Sequence, residues 1–389
     1  MGKCLVVSAH LPSPLATQAG QKVAFENLCE LARVYDVTLI AARAGEEAGY
    51  SLDPIRDVCK AFTVCDVHNI DRIVGCLLHP LLPTAVGARA LSKLEHAVRE
   101  ASFGITYDRV HCEWGQMAFL SSLVPGKYRS IYVHDVLSQQ TQRRAMATHF
   151  PFALLAWLDA SRTRVWESRA YRSFDQVFVP STKDRDILVQ LNRAYSRSAN
   201  VVYPTFTTYV AANQSSLERA VGVLFWGSMS RQENDEAALW LLDRVMPQVR
   251  AKFPAARALI VGSSPSCALL MRAGEHTVIT GYVSDPSTVF LQARVAVLPL
   301  GSGAGVKLKV LECLAAGIPV ITTPIGAEGI PAGEREGLFV AARDVALFAQ
   351  KTIEVLSAPM SQLWSLSEHA RVWASQYEAR RATIVSNGR

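Results

Sequence analysis

A two-unit α/β protein built on parallel sheets is what the sequence predicts, on three observations. The chain has 389 residues, which at ordinary domain sizes divides into two or three cores. Half of it is hydrophobic and only 19% is charged, the balance of a packed globular protein. Short β-branched runs alternate with longer segments of helical periodicity, the pattern of parallel strands joined by crossover helices.

In the first half the expected strands are Lys3–Ala9, Val37–Ala42, Ala61–Val67, Arg109–Cys112, Ser130–His134, Gln176–Pro180 and Val201–Tyr203. Helical periodicity covers Gly20–Val34, Ala88–Ser102 and a long stretch from about Gln139 to Ser173. From Pro204 to about Arg219 a run rich in Thr, Ser, Asn and Gln has no period and marks a connector. A second series of strands follows at Gly222–Gly227, Arg257–Gly262, Thr277–Gly281, Arg294–Pro299, Ile318–Thr323 and Gly337–Val340. Between them helices are expected near Asn234–Lys252, Pro265–Ala273, Pro286–Ala293, Lys307–Ala316 and Arg343–Ser357. The expected divisions are therefore residues 1–205, a linker 206–220, residues 221–360, and a C-terminal helical segment 361–389. Leu363, Trp364, Trp373 and Tyr377 give that segment an aromatic face, for packing across the domain junction or within the second domain.

Composition excludes several classes. The longest apolar stretch, Phe150 to Leu158, falls short of the ~20 residues a bilayer span needs, so a soluble chain is expected. The apolar run after Lys3 ends already at Ser8, before His10 and Pro12, and reads as a first strand instead of a signal peptide. Eight scattered cysteines form no CxxC pair and no zinc-spaced cluster, which fits reduced thiols in a cytoplasm. The net charge of +6 is concentrated: between Gln140 and Asn200 ten Lys/Arg stand against five Asp/Glu. With Phe150, Phe152, Trp157, Trp166 and Tyr171 interleaved, this region suits either peripheral contact with an anionic inner-membrane surface or an ordinary solvated amphipathic helix. The small excess and the lack of a recognised module speak against nucleic acid as a partner.

The most informative stretch runs from Pro299 to Pro324. A strand ends in a loop carrying Gly301, Gly303 and Gly305, and a helix opens with Lys307 and Lys309 in its first turn. Glycines let backbone approach an anion closely, unsatisfied amides at the helix start point at it, and the lysines add charge. It is not a P-loop, because Gly305 is followed by Val306 and Lys307 without the Gly-Lys-Ser/Thr ending, and its glycine spacing fails the dinucleotide fingerprint. Leu308, Leu311 and Ala315 form the buried stripe of that helix. Glu312 borders the stripe and needs a partner, either Lys309 or a pair of ligand hydroxyls such as those of a ribose.

The segment Val223 to Ile330 resembles the donor-binding half of GT4-type retaining glycosyltransferases of the GT-B fold, the glycosyl transferase group 1 family. Phe225-Trp-Gly-Ser-Met-Ser, Asn234, Pro247, Ile260-Val-Gly, Gly281-Tyr-Val-Ser-Asp and Lys307-Leu-Lys-Val-Leu-Glu-Cys-Leu-Ala-Ala-Gly-Ile-Pro-Val-Ile-Thr-Thr occur in family order. A looser resemblance covers the first half, in Ser8-Ala-His-Leu-Pro, Gly20 at the first helix, Val133-His-Asp and Ser181-Thr-Lys-Asp. It implies two Rossmann-like parallel-sheet domains facing each other across a cleft, with the donor held by the second.

Carried over by position, Glu312 matches the second glutamate of the family's E-x7-E motif, which implies hydrogen bonds to the donor ribose. The first glutamate falls on Ala304, a departure, so sugar and phosphate contacts pass to the backbone around Gly303, Gly305, Val306 and Lys307. Ser228 and Asn234 replace the usual Arg/Lys pair, and diphosphate neutralisation falls to Arg231, Lys307 or Lys309, Lys307 first. Gly20 belongs with the donor-binding positions, Tyr282 and Val283 with the base pocket, and His134 faces the donor sugar. His134, Glu312 and Lys307 make up the catalytic set. His10, His111 and Glu113, near strand ends, are acceptor-side candidates. Asp184-Arg-Asp186 mimics a metal-binding DxD but sits at a helix start, where acidic residues are favoured anyway, so no metal or other cofactor is expected.

The implied reaction is retaining hexosyl transfer from a nucleoside-diphosphate-sugar to a hydroxyl of a glycan or lipid-linked saccharide, as in polysaccharide biosynthesis. Two other readings remain open: a nucleotide-sugar epimerase of the same fold, and a non-catalytic nucleotide-sugar-binding protein.

Overall fold

The computed structural model describes residues 1–16, 18–209 and 222–385. The chain divides into two compact units, Met1–Tyr203 together with the C-terminal residues from Ala382, and Pro204–Arg381. Most of the expected linker lies outside the described residues.

In the first unit, strands β1 (Gly2–Ser8), β2 (Tyr35–Arg43), β3 (Ala61–Asp66), β4 (Tyr107–Glu113), β5 (Gly126–Tyr132), β6 (Gln176–Val179) and β7 (Ala199–Val201) form one sheet. Its order is β3-β2-β1-β4-β5-β6-β7 and every pairing is parallel. Leu5, Val6 and Val7 are all buried, as expected of a strand covered on both faces. The direction of winding reverses between β1 and β4, which opens room for side chains beyond the carboxyl ends of those strands.

The second unit repeats the plan with β8 (Gly222–Trp226), β9 (Arg257–Val261), β10 (Thr277–Ile279), β11 (Ala293–Leu298), β12 (Val320–Thr322) and β13 (Leu338–Val340). They pair in parallel in the order β10-β9-β8-β11-β12-β13, with the reversal between β8 and β11. Val223, Leu224, Phe225, Val295, Val297, Val320 and Ile321 fill this core. Thus both units are Rossmann-like, and all thirteen expected strands are present with ends that shift by one to a few residues.

The helices depart further from expectation. The stretch from Gln139 to Ser173 is two helices, Leu137–Ala147 and Ala153–Ala170, because Pro151 supplies no backbone N–H and cannot sit in a helix interior. Of the expected Ala88–Ser102 only Ser92–Ser102 is helical, and a separate single turn, Thr84–Gly87, precedes the segment. Asn69–Leu78, which the sequence reading leaves unassigned, is a helix. In the second unit Gln232–Lys252 continues through a wide turn at Leu241–Val245, just before Pro247 removes a donor.

The C-terminal helix, Met360–Ala379, ends short of the expected boundary and lies wholly in the second unit, with Leu363, Ala370, Ala374 and Tyr377 buried. The chain beyond it belongs to the first unit, where the Ile384 N–H donates to Glu30 Oε2 (3.1 Å) and its carbonyl accepts from Arg109 Nη2 (2.7 Å). All eight cysteines are free thiols, five of them buried. Among the described residues no helix is long and apolar enough to cross a membrane.

Candidate active site

Beyond the carboxyl ends of β8 and β11 in the second unit, three cations gather among glycines. The backbone after β8 turns at Gly227, whose carbonyl oxygen would lie 1.9 Å from a Cβ placed on Gly262, so that crossing admits only glycine there. Asn234 Nδ2 donates to the Ser228 carbonyl (2.6 Å), and Lys309 Nζ donates to Asn234 Oδ1, which brings the ammonium to 3.0 Å from where a Gly227 Cβ would stand. Burial, with the charges of Arg231 and Lys307 nearby, pushes the Lys309 ammonium down to about 7. Lys307 curls back, its Nζ donating to the carbonyls of Ala304 and Gly305 at 2.7 Å each. This curl fixes the loop that precedes the Leu308–Ala315 helix, in which Gly303 (φ 123°) and Gly305 (φ 69°) take backbone angles that other residues resist. Arg231 pairs with Glu233 at 2.6 Å.

Glu312 is buried on that helix and accepts from Trp226 Nε1 at 2.6 Å. Trp226 is itself held edge-on against Phe290 and Tyr209 (centroids 5.3 and 5.7 Å). Gly281 meets the same corner through its carbonyl, which accepts from Gly262 N at 3.1 Å, and Tyr282 beside it is largely exposed.

The first unit carries a different cluster where β1, β4 and β5 end. Arg109, fully buried, can only donate, so the Ser130 hydroxyl accepts from its Nε (2.9 Å) and passes its own proton to His111 Nδ1 (2.8 Å). His111 Nε2 then donates to Glu113 Oε1 (3.0 Å), which also accepts from Asn27 Nδ2 (3.0 Å). The proton of Glu113 is left to Oε2, 2.6 Å from His134 Nε2. Burial drives this assignment: it raises the Glu113 carboxyl well above the usual range, lowers His111 well below, and lowers His134 to about 3. His111, Glu113 and His134 are therefore all uncharged beside the Arg109 guanidinium, and the Nδ1–H of His134 is left pointing away from Glu113. That nitrogen lies 3.6 Å from where a Gly20 Cβ would be, and Trp114 stacks on the ring (4.1 Å, 23°) from a left-handed backbone position (φ 71°). A side chain at position 20 would also press on Trp114 at 3.1 Å, which accounts for glycine there. His10 lies against the other side of Trp114 (4.9 Å), with its Nδ1 2.6 Å from Glu47 and its Nε2 accepting from Arg89 (3.1 Å).

Residues 220–358 match the family model of Glycosyl transferases group 1. The match covers the unit that holds the cationic corner. Over nearly the full chain, an uncharacterized 44.6 kDa protein in the cps region of Klebsiella pneumoniae is 24% identical across 377 residues, 91% of this chain and 90% of its own length. Among solved structures, the lipopolysaccharide-biosynthesis glycosyltransferase WaaG superposes with a TM-score of 0.65 at 15% identity, over 98% of this chain and all of that one. Anabaena HepE, in complex with UDP and glucose, gives 0.64 at 12% over 97% and 95%. Sucrose-phosphate synthase from Thermosynechococcus elongatus gives 0.65 at 16% over 97% and 96%. At these identities the likeness establishes the fold, that of GT-B glycosyltransferases.

Within the glycosyl transferases group 1 region, Gly303, Gly305, Val306, Lys307, Lys309 and Glu312 share the loop and helix that follow β11, and Arg231 comes from the turn after β8. Tyr282 and Val283 follow Gly281 on the neighbouring turn. Trp226 and Asn234 are the residues that sequence reasoning missed as partners: their signal was a polar atom at the end of β8 and another in the first turn of the helix that follows it, opposite Glu312 and Lys309. In the first unit His134 stands two residues beyond the end of β5, while the acceptor-side expectation for His111 is corrected, since that ring is enclosed within the sheet's cover and fully buried. Asp184 is engaged as helix cap support, its backbone N–H donating to Ser181 Oγ at 3.1 Å.

Proposed function

We propose that the protein is a retaining glycosyltransferase that moves a hexosyl group from a nucleoside-diphosphate-sugar to a hydroxyl acceptor. The observation that carries this reading is the corner after β8 and β11, where Arg231, Lys307 and a Lys309 that a bound anion would return to its charged form meet the glycine loop. A pyrophosphate answers that charge. As the bond from the anomeric carbon to the β-phosphate oxygen breaks, negative charge grows on the phosphate, and preorganised amides and ammonium groups stabilise it more than the ground state. The acceptor oxygen bonds to the anomeric carbon on the same face and its proton passes to the departing phosphate. Same-face substitution follows from the resemblance to retaining enzymes.

Glu312, oriented by the Trp226 indole, is assigned to the ribose hydroxyls, and Tyr282 with Val283 to the base. In the first unit, the Nδ1–H of His134 is assigned to a substrate hydroxyl, held in one tautomer by Glu113. The UDP bound by HepE favours a uridine donor, and the lipopolysaccharide role of WaaG favours a glycan or lipid-linked acceptor. Ala304, in the place of a glutamate, favours as second reading a protein that binds the donor without turning it over.

The test is nucleotide release from UDP-, GDP- and dTDP-sugars with and without acceptor glycans, compared with Glu312→Ala and Lys307→Ala. Acceptor-dependent release that both substitutions depress supports the transferase. Release indifferent to both removes the site, and tight binding without release selects the second reading.

A further inference from the structure

The helix Asn69–Leu78 is amphipathic in the inverted sense. Ile70, Ile73, Val74, Leu77 and Leu78 fall at helical spacing and all face solvent, whereas Gly75 is its one buried residue, packed against the backbone of Gly87. Leu81, just beyond it, is 90% exposed. A core helix would turn that stripe inward.

The same inversion recurs on a second segment. The Ala153–Ala170 helix buries only Ala160, Thr163 and Glu167, while Leu154, Leu155, Trp157 and Leu158 are exposed, and Phe150 before it is 93% exposed. The two segments lie side by side. Arg162 donates to the carbonyl of Pro80, and the backbone N–H and hydroxyl of Thr84 both donate to Asp159 Oδ1 at 2.8 Å. Where they meet, a cavity of about 280 Å³ is lined by Thr84, Thr141, Arg144, Thr148, Phe152 and Leu155, with Asp159, already engaged by Thr84, at its edge. A guanidinium and hydroxyls thus sit in a hollow rimmed by exposed aromatic and aliphatic side chains. Charge follows: from Arg143 to Arg172 six arginines stand against Asp159 and the buried Glu167. Tyr171, counted with the aromatic patch on sequence grounds, is fully buried and takes no part.

We propose that this face of the first unit docks on an anionic phospholipid bilayer, its apolar side chains entering the headgroup layer and Arg144 engaging a lipid phosphate in the hollow. Exposed leucines and aromatics at this density suit an interfacial helix, and the arginine excess selects a negatively charged surface.

Co-sedimentation of the full chain with vesicles tests this. Retention is expected on phosphatidylcholine vesicles containing about a third phosphatidylglycerol, falling with added salt, and not on phosphatidylcholine alone. The double variant Leu77→Glu/Phe150→Glu loses at least about tenfold in vesicle affinity, and Arg144→Ala about fivefold, with thermal unfolding unchanged because these side chains are exposed. No retention of the unaltered chain on the anionic vesicles overturns the proposal, as does equal retention of the variants. A lipid-free dimer that Leu77→Glu converts to monomer overturns it too, and makes the face an interface between copies.

Discussion

The corner beyond β1, β4 and β5 in the first unit and the corner beyond β8 and β11 in the second each lie at a topological reversal, yet their electrostatics differ. In the first, Arg109, Ser130, His111, Glu113 and His134 hand hydrogen bonds along a buried line until a neutral imidazole is left with one N–H outward. In the second, the Lys309 ammonium donates to the Asn234 carboxamide, with other cations close by and little solvent around it, so that its charged form is disfavoured. One corner runs a line of side-chain hydrogen bonds that ends on a single imidazole tautomer. The other gathers Arg231, Lys307 and Lys309 closely enough that one of them is pushed toward its neutral form. The same topology thus carries either a line of hydrogen bonds ending on an imidazole or a cluster of cations around glycines.

Lys309→Met probes the contrast most severely. It should lower nucleotide release roughly 10²- to 10³-fold, the scale for removing one preorganised donor at a developing oxyanion, and initial rates measure it. The companion measurement is protonic. With its pKa near 7, Lys309 is mostly neutral at pH 8 in the free protein, and a bound diphosphate restores the ammonium. UDP binding at pH 8 is then accompanied by net proton uptake, read by calorimetry in buffers of different ionisation heat and absent in Lys309→Met. Uptake that persists in the variant assigns the proton elsewhere. The sign for stability is consistent: between about 7 and the ordinary lysine range the unfolded chain binds more protons, so this group's contribution makes the second unit more stable as pH rises through that window.

At the imidazole corner the expected effect is smaller and depends on shape. Glu113→Ala breaks the line and frees the His134 tautomer, lowering kcat about 10²-fold. Glu113→Gln keeps an acceptor for His111 and a donor for His134 and should stay within about threefold of the parent. If both variants fall equally, the carboxyl acts by charge and the neutral assignment is wrong. The mildest change is Trp226→Phe, which keeps the aromatic packing and removes the N–H bonded to Glu312. A rise of about tenfold in donor KM with kcat nearly unchanged is expected, the worth of a hydrogen bond to a charged group, and steady-state kinetics with the best donor of the panel decides it.

Much of this was legible before any coordinates. The glycine loop, Lys307, Lys309 and Glu312 announce themselves because a loop-to-helix anion corner needs those residue types within a few positions of one another. Local spacing carries that information. The partners of Lys309 and Glu312 were not legible, since Asn234 and Trp226 lie 75 and 86 positions away and reach them only through the parallel packing of β8 beside β11. The line from Arg109 to His134 was hidden for the same reason, and its middle member, His111, read as a strand-end group although it is enclosed. Likewise the apolar periodicity around Pro151 runs through it, and only the fold shows the long helix divided there.

The division of labour follows from the range of the forces. Apolar periodicity and turn chemistry act between near neighbours, so thirteen strands, two parallel sheets and a glycine loop leading into a lysine-bearing helix follow from the order of residues alone. Burial and hydrogen-bond pairing are set by whatever the fold brings alongside. Only the tertiary structure could decide that Lys309 sits near neutrality, that His134 shows one nitrogen, and that the stripe from Ile70 to Leu81 faces outward.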